Sequence, residues 1–156
     1  MVCFTGDTPD EFEFGLFLGL FSDADIAGDR ADMRSTSGVF LALYGIHSFF
    51  PLSGQIKKQT AVEAEVVAAD HAIRMSGLPA LQLWERLLDR PLVLEVYQDN
   101  QATARIMSTG RAPTLRHSKR THSVSVAWLH ERVTGPDVRL HYCTPNVMAA
   151  SILTPS

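Results

Sequence analysis

Apolar residues in this chain come in two patterns, short runs rich in branched and aromatic residues and longer stretches with helical spacing. The short runs read as buried strands. The first covers 15–22 and leads into Ser22-Asp23. The stretch Asp23 to Ser37 is polar and turn-like, with Gly28 inside it. A second strand over 38–44, a turn at Gly45 and a third strand over 47–53 make a hairpin with no helix between its strands. The front of the sheet is therefore expected to be antiparallel. Residues 60–75 contain no Gly or Pro and are full of Ala and Val, which predicts a helix. Gly77-Leu78-Pro79 breaks it, and a second helix over 79–88 presents Leu81, Leu83, Trp84 and Leu87 as apolar contacts. The fourth strand ends at Asp99, and 100–107 reads as a helix. A basic loop holding Pro113 follows, then a helix over 121–133 that turns Val124, Trp128 and Leu129 inward. A fifth strand covers 138–143, and a short helix over 146–153 lies beyond Pro145. The long crossover between strands one and four permits their parallel pairing. Residues 1–13 read as an arm or linker remnant and 14–156 as one α/β domain.

Two apolar runs end in an aspartate, Leu16-Phe17-Leu18-Gly19-Leu20-Phe21-Ser22-Asp23 and Leu92-Val93-Leu94-Glu95-Val96-Tyr97-Gln98-Asp99. If these strands are parallel neighbours, both carboxylates emerge at the carboxyl edge of the sheet, where open α/β sheets bind ligands. Converging carboxylates repel unless a cation lies between them, and hard oxygen ligands suit Mg²⁺ or Mn²⁺. Asp25 follows the same strand and is an alternative to Asp23. On a helical wheel of roughly 100° per residue, Glu63, Asp70 and Arg74 share a polar face, with Asp70 and Arg74 spaced to pair in solvent. Glu65 falls on the opposite face among Val62, Ala69 and Ala72. Two readings of Glu65 stand: a third carboxylate for the cation, or an acid at a helix start that favours the dipole.

Composition narrows the classes. Charged residues are 20% and hydrophobic residues 46%, ordinary for a soluble globular chain. The net charge of −3 excludes a uniformly basic nucleic-acid binder. Charge is uneven, however. Arg111, Arg116, His117, Lys119, Arg120 and His122 form a basic strip without an acid, while Asp7 to Glu13 is acidic. Acids beside a basic strip suit metal-assisted chemistry on a polyanion. Cys3 and Cys143 form neither a ligand spacing nor a disulfide framework, which points to a reduced intracellular setting. No apolar stretch is long enough to span a membrane, and the acidic N-terminus does not look like a secretion signal. A monomer is expected.

A set of ordered motifs carries a resemblance. Phe21-Ser22-Asp23-Ala24-Asp25-Ile26-Ala27-Gly28-Asp29 with Arg34-Ser35-Thr36-Ser37-Gly38, then Lys57-Lys58-Gln59-Thr60-Ala61-Val62, Glu63-Ala64-Glu65, Asp99-Asn100-Gln101-Ala102 and Ala150-Ser151-Ile152-Leu153-Thr154, resemble the ribonuclease H domain of copia-type LTR retrotransposon Pol polyproteins. The likeness spans residues 16–155. It implies a ribonuclease H-like fold, a five-stranded mixed sheet in which strands 1–3 are antiparallel and strands 4 and 5 run parallel to strand 1, flanked by helices. It implies cleavage of the RNA strand of RNA/DNA hybrids, with Asp23, Glu65 and Asp99 holding two Mg²⁺ or Mn²⁺ ions. Asn100, Gln101, Arg111, Arg116, Lys119 and Arg120 would contact nucleic acid. A reverse transcriptase domain in cis is the implied partner, and the compartment would be the cytoplasm, a virus-like particle or the nucleus.

Two positions depart from that pattern. Ser151 stands where the family has a fourth acid, which predicts a weakened second cation site. A short Ser/Thr-rich stretch is missing between Val62 and Glu63. Together they define an alternative, an impaired domain that binds hybrid or acts structurally. A phospho-receiver module also gathers acids at strand ends, but the hairpin over 38–53 argues against it. Asp29 and Asp32 read as solvated, His117 and His122 as surface residues beside arginines. His141 reads as structural, Trp84 and Trp128 as core, and Ser22 and Ser53 lack a His/Asp arrangement for nucleophilic catalysis.

Overall fold

The structure is a computed structural model that describes residues 6, 15–25, 34–60, 64–112 and 125–144, with the side chains of 23–25, 34–37, 54–60 and 64 outside that description. Strands β1 (Phe17–Asp25), β2 (Arg34–Tyr44) and β3 (Phe49–Thr60) come first. Helix α1 (Ala64–Ala72) passes through a π-helical turn (Ile73–Gly77) into α2 (Leu78–Leu88). Strand β4 (Leu94–Gln98), helices α3 (Gln101–Thr109) and α4 (Val126–Val133), and strand β5 (Val138–Tyr142) complete the order. The sheet has five strands in the order β3-β2-β1-β4-β5. The pairs β1–β2 and β2–β3 are antiparallel, as the sequence pattern predicts, and β1–β4 and β4–β5 are parallel, as the resemblance implies. Among the described residues, no helix is long and apolar enough to cross a membrane.

Alternation along the central strands separates two faces. On one face Leu18, Leu20, Leu94 and Val96 have no exposure and pack with Ala69, Ala72, Ile73, Leu81, Met107 and Leu129. Gly77 brings the helical layer close, because a Cβ there would lie 2.7 Å from Leu94 Cδ2 and 3.0 Å from Leu20 Cδ2. The other face is aromatic. Phe17 stacks on Tyr44 at 5.2 Å, Phe21 on Tyr97 at 4.6 Å and Tyr97 on the His141 ring at 5.2 Å. The ring of Tyr44 lies over Gly19, where a Cβ would sit 2.5 Å from it.

Several expectations need correction. The strands run further into polar sequence than hydrophobicity suggests. Asp23–Asp25 and Arg34–Ser37 are paired strand rather than turn, and β3 continues to Thr60, where the first helix was expected to begin. Backbone pairing with a neighbouring strand supplies the missing signal. Opposite Leu41 and Ala42 of β2 the register slips, leaving Leu52 of β3 unpaired beside Pro51, a bulge that an edge strand tolerates. Gly77-Leu78-Pro79 does not break the helical path. Pro79 lies in the first turn of α2, where its missing N–H costs little. Leu83 and Leu87 are exposed at 56% and 64%, while Leu81 is buried and Trp84 packs on the core. Asp70 is buried rather than solvated. Its carboxylate accepts from Arg74 Nε at 2.9 and 3.0 Å, and the Arg74 guanidinium lies 3.5 Å above the Trp128 ring of α4.

The remaining elements end where capping chemistry allows. Asn100 accepts from Thr103 N at 3.0 Å and starts α3, and Gly110 closes it at a positive φ of 68°. Ser125 accepts from Trp128 N at 3.2 Å and starts α4. The expected helix over 146–153 lies outside the described residues. Within the expected 1–13 arm only Gly6 is described, and its N–H donates to Ser48 Oγ at 3.3 Å.

Candidate active site

The site begins with strand register. On β1 and β4, Ser22 pairs with Gln98 as parallel neighbours. The next residue on each is an aspartate, so Asp23 and Asp99 hold equivalent positions at the carboxyl edge. Asp23 also pairs with Gly38 of β2. The Asp99 carboxyl is half-buried, and burial pushes it above the ordinary carboxylate range despite backbone N–H donors from Asp99 and Asn100. At the end of β5, Cys143 N donates to Gln98 O at 3.0 Å. Burial and the charge of Asp99 push the Cys143 thiol up, which keeps it protonated.

The third acid arrives from the helix. Glu65 lies in the first turn of α1, where the helix dipole favours an anion. It is 9% exposed. Its Oε2 accepts from Gln98 Nε2 at 2.9 Å, and Gln98 Oε1 accepts from Ser22 Oγ at 3.1 Å. Ser22 and Gln98 are themselves buried at 1% and 0%. One hydrogen-bonded chain therefore ties Glu65 to the residue before Asp23 and to the residue before Asp99. Glu65 stands at a helix start, as one of its two readings has it, and its side chain is buried. Gln98 and the polar role of Ser22 are what sequence reading misses. The signal for Gln98 is parity: it shares a face with Leu94 and Val96, yet it is an amide.

This donor set suits a hard divalent cation: all three carboxyl groups supply oxygen, and the Asp99 carboxyl resists ionisation without a positive partner. Among the described side chains, no three His, Cys, Asp or Glu stand at metal-holding distance, and the Asp23 and Asp25 side chains are outside that set.

The other expected contacts are distributed as follows. Asn100 is engaged in capping α3, Gln101 is exposed on the first turn, and Arg111 is exposed just past Gly110. Arg116, His117, Lys119, Arg120, His122 and Ser151 lie outside the described residues, as does the junction before Glu63. His141 is exposed on β5 and contacts Glu95 Oε2, with Arg139 on the same carboxylate at 3.4 Å.

No protein-family model and no curated protein sequence matches the chain. Solved structures do. One is LC11 ribonuclease H1, isolated from compost by a metagenomic approach, at 18% identity and a TM-score of 0.54, covering 87% of this chain and 90% of that one. Another is ribonuclease H1 of the halophilic archaeon Halobacterium salinarum NRC-1, at 12% identity and a TM-score of 0.56, covering 83% and 87%. With its strand order and pairing directions, the chain has the ribonuclease H-like fold.

Proposed function

We propose that this chain is a ribonuclease H-type endonuclease domain that hydrolyses the RNA strand of RNA/DNA hybrids, within a copia-type retrotransposon polyprotein that also carries a reverse transcriptase. One observation carries the reading: Asp23 and Asp99 share a register position on adjacent parallel strands, and Glu65 is hydrogen-bonded to Gln98, which precedes Asp99 and in turn accepts from Ser22, which precedes Asp23. The fold likeness to ribonucleases H1 supports it.

In this reading Asp23, Glu65 and Asp99 hold the divalent cation. When bound, Mg²⁺ or Mn²⁺ supplies an activated water and stabilises charge on the scissile phosphate. The protein's own part is to converge three carboxylates at one sheet edge and to hold the duplex beside them. Gln101 is exposed in the first turn of α3, next to that edge, and Arg111 is exposed beyond the far end of the helix; with Arg116, Lys119 and Arg120 of the basic strip, they bind backbone phosphates without reading sequence. Hybrid is distinguished from DNA by 2′-hydroxyls and groove shape.

The test is cleavage of a labelled hybrid in Mg²⁺ and in Mn²⁺. Wild-type protein releases RNA fragments and folded Asp99→Asn protein releases none above background. Cleavage that survives in Asp99→Asn overturns the reading. Ser151 favours a second reading, an impaired copy with a weak second cation site. On that reading Ser151→Asp accelerates cleavage in Mg²⁺ more than in Mn²⁺, and equal rates remove it.

A further inference from the structure

We infer that Gln98 is a positioning residue of this site, which sets the Glu65 carboxylate toward the cation and draws its own orientation from Ser22. The inference rests on the nuclease reading and deepens it. An ionised carboxylate only accepts hydrogen bonds, so the face of the Gln98 amide turned to Glu65 must be its NH₂. Its carbonyl then faces Ser22, and the Ser22 hydroxyl must donate. The chain has one direction, from β1 through β4 to α1.

Burial makes that direction binding. Ser22 and Gln98 are shut from solvent, so reversing the amide would set carbonyl against carboxylate with no water to intervene. The three members come from the three elements that carry the proposed ligands. Partners behind a ligand of this kind orient it, and losing one weakens metal affinity by about 10–100-fold.

The probe is Mn²⁺ binding by the full chain, followed by calorimetry and by the electron paramagnetic resonance of free Mn²⁺. Gln98→Met keeps the length and apolar bulk and removes both hydrogen bonds. We expect it to weaken Mn²⁺ by about 10–100-fold. In a Glu65→Gln background, the same substitution should change affinity by less than about twofold, because its action runs through the carboxylate. Equal losses in both backgrounds would mean a general packing role and would overturn the inference. So would unchanged affinity in Gln98→Met while Asp99→Asn loses binding, and that outcome leaves the nuclease reading intact. A wild-type chain that binds no Mn²⁺ sinks both.

Ser22→Ala reaches the same amide from its other end with less disturbance of the core, and serves if Gln98→Met does not fold. Its expected loss is below about tenfold, and Ser22→Thr, which keeps the hydroxyl, restores part of it. A loss shared equally by Ser22→Ala and Ser22→Thr would be steric and would count against the inference.

Discussion

The two faces of strands β1 and β4 are built from one alternating sequence, and they do different work. The face toward the helices is fully apolar at its base, through Leu18, Leu20, Leu94 and Val96, and becomes polar only at its carboxyl edge, through Ser22 and Gln98. The opposite face is a row of rings, with Phe17, Tyr44, Phe21, Tyr97 and His141 in stacked or tilted contact from strand to strand. On the first face stability and site chemistry are separated along the strand. On the second, packing and titratable groups are the same residues. Damage low on the helix face should cost folding alone, and damage at its edge should cost the site, while the aromatic face should report on alkaline pH.

The largest effect should come from Leu94→Ala. Its side chain is completely buried beneath Gly77, so truncation leaves a cavity and costs about 2–5 kcal/mol of unfolding free energy, read from urea titration. Cleavage by the fraction that stays folded should be unchanged. A loss of cleavage in fully folded Leu94→Ala protein would break the proposed separation.

A smaller effect is expected for Arg74→Ala. It removes the ion pair to buried Asp70 and the cation over Trp128 together. The guanidinium is partly exposed, so the loss should be about 1–2 kcal/mol in thermal unfolding, with no change in Mn²⁺ affinity.

The smallest effect belongs to the aromatic face and has the opposite sign. Burial pushes the Tyr44 hydroxyl from 10.0 up to about 12, and its buried oxygen has no hydrogen-bond partner among the described residues. Tyr97 is raised in the same direction, also chiefly by burial. The unfolded chain ionises these groups first, so their contribution is complete below about pH 10 and is lost as pH rises through 12. Tyr44→Phe should raise stability at pH 7 by about 1 kcal/mol and flatten the alkaline fall in melting temperature. A steeper fall in the variant would mean that the face is not resisting ionisation.

Much of this arrangement can be read from the chain. The aspartate-ended runs locate β1 and β4, the helixless hairpin sets the antiparallel front, and helical phase isolates Glu65. What hydrophobicity misses depends on partners remote in sequence. Arg34–Ser37 is strand because it pairs with 57–60 of β3, not because of its own residues. Asp70 is buried with its carboxylate paired to Arg74, whose guanidinium packs on Trp128 of a helix remote in sequence. Leu83 and Leu87 face outward because α2 meets the core through Leu81, Trp84 and Leu88, one helical face that apolar content alone does not single out. Gln98 escapes attention because an amide in an apolar run looks like an interruption until Glu65 and Ser22 are placed on either side of it. Of the proposed contacts on the basic strip, Arg111 lies among the described residues and is exposed, while Arg116, Lys119 and Arg120 lie outside them.

The central position of β1 also has a consequence in time. β1 and β2 can pair as soon as the hairpin is made, but the other edge of β1 pairs with β4, roughly 70 residues later in the chain, which takes on the order of 4–15 s of synthesis. For that interval Leu18, Leu20 and the backbone beside them form a hydrophobic open edge, the kind that recruits strands from other chains. Whatever shields the nascent chain during that wait bears on how much of it reaches the folded state at all.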